Sequence, residues 1–170
     1  MTEPIGYKLK GNIENPFLSN NLTIKEIESK EIIKIVVNVE TKKIFFITDA
    51  PEIILEFPIE IGKKGFSKEG EGFDGDEKTP KNKSCCVQFI RKPKEICEAV
   101  FTQDERDPPI CLGPCFICFD IKYKNKLRGI GIHGSSYNEL RVTSGCIRMY
   151  NDDILSIREK IKKGIPVEIS

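Results

Sequence analysis

The chain has 170 residues, 39% apolar and 31% charged, the composition of an ordinary globular domain with enough apolar residues for one core. Lys and Arg total 27 against 26 Asp and Glu, so no net field disposes it toward nucleic acid, and acids lie close to its local lysine clusters. No apolar run approaches the length of a membrane span, and no export signal is visible at Met1-Thr2-Glu3-Pro4.

Residues 1–30 read as an N-terminal extension and 31–170 as the domain proper. Asparagines at 12, 15, 20 and 21 mark turns in the extension, and residues 23–30 suit either a short helix or a strand. Residues 34–40, 44–48 and 52–61 are strand-like. The turns Thr41-Lys42-Lys43 and Asp49-Ala50-Pro51 separate them, which predicts a three-strand meander. Residues 62–83 change character, with five glycines, many charges and two isolated aromatics, Phe66 and Phe73. Ordering so many glycines is entropically costly, so this stretch is expected to be mobile unless the aromatics anchor it. It ends in Thr79-Pro80-Lys81-Asn82, where Asn82 suits a left-handed turn position.

Residues 84–90 form the next expected strand, and 91–109 a polar loop ending in Asp107-Pro108-Pro109. The near-continuous apolar run at 115–121 predicts a strand buried on both faces. Residues 128–133 predict a short strand that delivers His133 to its end. A helix is expected at 152–163, capped by Asn151 or Asp152, with Ile154, Ile157 and Ile161 as one apolar stripe. Lys160, Lys162 and Lys163 crowd its C-terminal end, and Gly164 stops it. Together these elements define a mostly β (α+β) domain, a β-sandwich or open barrel with one capping helix near the C-terminus.

Seven cysteines make an odd number, so at least one lies outside any intramolecular disulfide. Cys111-x3-Cys115-x2-Cys118 has the spacing that radical enzymes use for an iron–sulfur cluster. Only 52 residues follow Cys118, too few for the large barrel such enzymes build, and no histidine is free to complete a zinc site. Buried free thiols or one or two disulfides are expected, with no metal and no cofactor.

The single histidine, His133, stands twelve residues before Cys146. A cysteine nucleophile needs a base to form its thiolate, and this chain offers one imidazole. Glycines flank the pair: Gly134 follows the histidine and Gly145 precedes the cysteine. Taken alone, the pair also admits a structural histidine and a small apolar filler.

The string His133-Gly134-Ser135 … Thr143-Ser144-Gly145-Cys146-Ile147-Arg148-Met149 … Asp153 resembles the signature of the L,D-transpeptidase catalytic domain of the YkuD type. Phe57-Pro58-Ile59-Glu60-Ile61-Gly62-Lys63, Thr79-Pro80 and Gly164-Ile165-Pro166-Val167-Glu168-Ile169 are similar to weaker features of the same family, in the same order. The resemblance runs from about residue 32 onward. It implies a cysteine acyltransferase that cleaves an L,D-peptide bond of a peptidoglycan stem peptide through a thioester. The acyl group then passes to an amine, giving a cross-link, or to water. The catalytic set it implies is Cys146, His133, Gly134 and Gly145, with the Gly145 and Cys146 N–H groups as oxyanion donors and a carbonyl near Gly134 or Ser135 orienting the imidazole. Arg148, Ser144, Thr143 and Ser135 are the implied substrate contacts; a salt bridge to Asp152 or Asp153 is the other reading of Arg148. Thr143 stands where Ser is usual, and Ser144 where relatives often have His, so proton transfer falls to His133 alone.

By the same resemblance residues 62–83 form a lid with Phe66 and Phe73 at the rim of the cleft above Cys146. Deleting 66–76 is then expected to change substrate affinity or acceptor choice and spare the fold; a passive insertion is the alternative. Peptidoglycan and other cell-wall enzymes are the implied partners, and the cell envelope or periplasm the implied location, which sits awkwardly with the absence of a visible export signal. The competing functional readings are an L,D-carboxypeptidase only, a general cysteine peptidase, or a non-enzymatic cysteine-rich envelope or metal-binding protein.

Overall fold

Alternation of buried and open residues builds the first strands: Ile35, Val37, Ile44 and Phe46 are fully buried while their neighbours are not. The computed structural model describes residues 29–50, 53–67, 76–92 and 112–170. The extension up to residue 28, most of the 91–109 loop, Phe73, Cys97 and Cys111 lie outside the described residues. In chain order the strands are β1 (Ile32–Asn38), β2 (Lys43–Thr48), β3 (Ile54–Pro58), β4 (Phe66–Ser67), β5 (Thr79–Pro80), β6 (Lys83–Arg91), β7 (Phe116–Phe119), β8 (Lys122–Tyr123), β9 (Lys126–Leu127), β10 (Gly131–His133), β11 (Ile147–Arg148) and β12 (Pro166–Ile169). One helix, α1 (Asn151–Ile157), runs into a 3-10 turn, Arg158–Lys160.

Eight of these strands form one sheet in the order β11-β10-β7-β6-β12-β1-β2-β3. The expected meander is its β1-β2-β3 end. Asn38 closes the first turn by accepting the N–H groups of Glu40 and Thr41. At the centre, β12 lies parallel to β1, with Ile35 opposite Val167, and antiparallel to β6. A bulge in β6 between Val87 and Phe89 bends the sheet. The sheet curls until its ends meet: just past β3, Glu60 exchanges both backbone hydrogen bonds with Arg148 of β11, at 2.9 and 2.8 Å. Ile61 and Lys63 continue that seam onto Thr143. The open barrel read from the sequence is therefore a mostly β, curled sheet whose closing seam runs along the segment that carries Cys146.

The core fills the inside of the curl, with Ile35, Phe46, Ile117, Ile132, Ile147 and Ile154 among its buried side chains. Both faces of β7 are buried, as its apolar run predicts: Ile117 and Phe119 face the main core, and Phe116 and Cys118 a second, smaller cluster with Leu112.

The helix differs from its sequence reading. It stops at Ile157, tightens into the 3-10 turn, and Ile161 is already extended. Ile154, Ile157 and Ile161 are buried as expected, but Ile161 reaches the core from a non-helical backbone. Neither Asn151 nor Asp152 caps; Tyr150 occupies the N-cap without a side-chain bond. The Asn151 amide is spent elsewhere, and Asn138 instead accepts the Asp152 N–H at 3.2 Å. A helix N–H is thus satisfied from a distant loop.

Residues 62–67 and 76–83 are also not a loose lid. β4 and β5 pair in parallel, and Phe66 packs against the main core under Lys81. Half-buried Phe66 therefore anchors this stretch against the core. Deleting 66–76 would remove β4 and the buried Asp76, so the fold would not be spared. Asn82 does take the left-handed conformation, φ 54°. The β8–β9 hairpin was missed; Lys124 and Asn125, both at positive φ, form its two-residue turn, and Asn125 was the available signal.

Candidate active site

His133 and Cys146 are placed by two short parallel strands. In the β10–β11 register Ile132 lies beside Ile147 and His133 beside Arg148. Both isoleucines are fully buried in the main core. Side chains alternate along a strand, so Gly131, His133, Cys146 and Arg148 all belong to the opposite, outer face. That face is shared with the smaller cluster: Phe116 meets the His133 ring edge-on at 6.3 Å, and Cys146 packs against the cluster. The histidine is buried and the cysteine half-buried.

The imidazole is oriented by backbone. Nδ1 of His133 lies 2.6 Å from the Gly134 carbonyl oxygen. A carbonyl can only accept, so Nδ1 carries the proton and the neutral ring keeps its lone pair on Nε2. No room exists for a side chain at residue 134, where a Cβ would lie 2.0 Å from Asn151 Oδ1. Asn151 holds this turn by a two-point contact, accepting the Ser135 N–H at 3.0 Å and donating to the Ser135 carbonyl at 2.9 Å. The Ser135 hydroxyl donates to the Tyr137 carbonyl at 2.7 Å.

The nucleophile loop is tied just as closely. Gly145 sits at φ 131°, and a Cβ there would press on the Lys78 carbonyl oxygen at 3.0 Å. Thr143 Oγ1 accepts the Gly145 N–H at 3.0 Å and donates to the Cys146 carbonyl at 2.5 Å. From the other side Thr79 Oγ1 donates to the Gly145 carbonyl at 2.8 Å and accepts the Gly62 N–H. The Cys146 thiol donates to the Gly129 carbonyl at 3.4 Å.

These bonds sort the sequence-derived residues. His133 with Gly134 at the end of β10, and Gly145-Cys146 directly before β11, lie on the two neighbouring strand segments at the β11 edge of the sheet. Ser144 is exposed and Arg148 half-buried on the same approach. Thr143 and Ser135, expected to touch substrate, are buried with hydroxyls committed to the backbone. The Gly145 N–H, expected in the oxyanion hole, is donated to Thr143 instead. Sequence reasoning missed Asn151 as the clamp of the histidine turn and Thr79 as the clamp of the cysteine loop. It also missed the buried ion pair Asp76–Arg128, 3.1 Å.

Burial pushes Cys85 and Cys118 up to about 12 and Cys115 up to about 11. All five described cysteines are free thiols. Cys115 faces the main core and Cys118 the smaller cluster, so these two point to opposite faces of the sheet. Among the described residues no group of three His, Cys, Asp or Glu side chains is placed to hold a metal.

Residues 119–169, which contain His133, Cys146 and Arg148, match the L,D-transpeptidase catalytic domain, YkuD. No curated protein matches the chain in sequence. Among solved structures the fold is shared with Bd1075 of Bdellovibrio bacteriovorus (23% identity, TM-score 0.54, covering 84% of this chain and 49% of that one). It is shared too with the helical cell shape determining protein Pgp2 of Campylobacter jejuni (19%, 0.57, 84% and 48%). A third is the L,D-transpeptidase of Mycobacterium smegmatis (14%, 0.51, 83% and 59%). The chain thus spans about half the length of these proteins.

Proposed function

We propose that the protein is a cysteine acyltransferase of the L,D-transpeptidase type, acting on peptidoglycan stem peptides in the cell envelope. The observation that carries this reading is the pairing of Cys146 with a buried His133 on one sheet face, the imidazole oriented so that Nε2 is its basic nitrogen. His133 Nε2 takes the thiol proton, and the Cys146 sulfur attacks the carbonyl of the L,D-bond. The Cys146 N–H supports the developing oxyanion. When the intermediate collapses, the terminal D-amino acid leaves with the proton from His133, and a thioester remains. An incoming amine, or water, loses its proton to His133 and displaces the sulfur. Gly134 and Gly145 allow the close backbone packing that holds both groups. Exposed Ser144 and half-buried Arg148 meet the substrate in this reading, Arg148 being suited to a carboxylate. Thr143 and Ser135 act by positioning.

The test is mass spectrometry after exposure to a carbapenem, together with release of a D-amino acid from a stem tetrapeptide. One adduct on Cys146, and loss of both adduct and release in Cys146→Ala with unchanged circular dichroism, is the expected result. An adduct on another cysteine, or release that survives Cys146→Ala, would overturn the proposal.

A further inference from the structure

The Asp76–Arg128 ion pair joins two residues 52 positions apart, each next to a backbone segment that meets the Cys146 loop. Its side chains are 3% and 6% exposed. Asp76 Oδ1 accepts the Arg128 guanidinium at 3.1 Å and also the Lys78 N–H at 3.0 Å. That second bond folds the turn 76–79, which sets the Lys78 carbonyl against Gly145 and delivers the Thr79 hydroxyl to the Gly145 carbonyl. Arg128 is followed directly by Gly129, whose carbonyl receives the Cys146 thiol. One buried ion pair thus joins the two backbone walls between which the cysteine stands.

We propose that Asp76 and Arg128 are positioning residues that act as a unit to hold Cys146 in its reactive place. This rests on the reading of Cys146 as the nucleophile. Neither residue touches the reacting atoms. Each acts through backbone: Asp76 through Lys78, Thr79 and Gly145, and Arg128 through Gly129. In a buried pair of this kind the two charges act together, so removing either lets the wall it holds relax.

The experiment uses the full chain with Arg128→Met, Arg128→Lys, Asp76→Asn and the double variant D76N/R128M, folding being checked by circular dichroism. Acylation of Cys146 by a carbapenem is followed to saturation. Arg128→Met and Asp76→Asn are expected to lower the limiting rate by about tenfold or more at an unchanged half-saturating concentration, since small misplacement of a reacting group costs rate rather than binding. Arg128→Lys is expected to recover most of the rate. The double variant should be no slower than the slower single variant, as for a coupled pair. Asp76→Asn keeps an oxygen for the Lys78 N–H, so it reads the pair even where Arg128→Met fails to fold. A folded single variant with the wild-type limiting rate, or effects that multiply in the double variant, would overturn the proposal. If the wild type takes no carbapenem, the nucleophile reading fails separately. Iodoacetamide labelling of Cys146 then still tests the pair: Arg128→Met slower than wild type and Arg128→Lys supports it, and equal rates in all variants sink it.

Discussion

Single residues in this protein are separated in role by how much water reaches them. Cys85, Cys115 and Cys118 are held protonated by burial, at about 12, 11 and 12 against an ordinary 9.0. With rising pH the unfolded chain loses these protons first, so their contribution to stability is intact below pH 9 and is lost as pH climbs through 9 to 12. At neutral pH these three should therefore label slowly in the native protein and Cys146 fast. Time-resolved alkylation with peptide mapping checks the order, and a second fast thiol among them would contradict it. Asp153 follows the same rule at lower pH. Burial, helped by the neighbouring Asp152, raises its carboxyl from 3.8 to about 6. The folded protein binds its proton more tightly than the unfolded chain, so stability is greatest below pH 4 and falls as pH rises through 6. Asp153→Asn is expected to gain on the order of 1 kcal/mol at pH 7 and to flatten that stretch of the profile in urea titrations. A variant less stable than wild type at pH 7 would show that the carboxylate has a stabilising role.

At the scale of elements, His133 ends a strand of three residues, β10, and Cys146 stands directly before one of two, β11, both too short to fix a side chain alone. Hydrogen bonds from neighbouring turns make up the difference. Thr143 is the test case, because its hydroxyl both accepts and donates within the cysteine loop. Thr143→Val leaves the Gly145 N–H without that acceptor and should cost about 1–3 kcal/mol in denaturant unfolding. Thr143→Ser keeps the hydroxyl and should lie within a fraction of that loss. Equal stability of Val and Ser variants would remove the loop bond from the account. The sequence showed much at this scale. Alternation in 32–48 and the two-sided apolar run at 115–121 were readable because strand periodicity is a local property. His133 and Cys146 could be singled out because the chain has one histidine and the residues around Cys146 form a specific string. What could not be read were partners brought together by folding. Asp76, Thr79 and Asn151 look like ordinary turn residues in a polar stretch, and only the closed sheet brings them against the site. The helix was overextended because the isoleucine stripe continues to Ile161 after the backbone has left the helix. A glycine-rich, charged composition suggested mobility at 62–83, but it gave no sign that Phe66 enters the core.

The whole molecule is organised around strands whose partners lie at opposite ends of the sequence. β12 fills the gap between β1 and β6, and Val39 and Ser170 extend its parallel pairing by a further hydrogen bond of 2.9 Å. Without residues 166–169 the sheet would open between β6 and β1, exposing a raw edge on each and leaving β11-β10-β7-β6 and β1-β2-β3 joined through the short Glu60–Arg148 and Thr143 seam. Removing them is expected to abolish cooperative unfolding, as thermal melts monitored by circular dichroism would show. A sharp melt in the truncated chain would mean that the two pieces pack without the strand that joins them. The same topology dictates an order of events in time. A ribosome releases β1 more than 120 residues before β12, so the emerging chain must wait, collapsed but unjoined, until the parallel partner arrives. Refolding should accordingly be slow for a chain of this size, and Cys146 should reach its place beside β10 only at the final step, as the seam between Glu60 and Arg148 shuts.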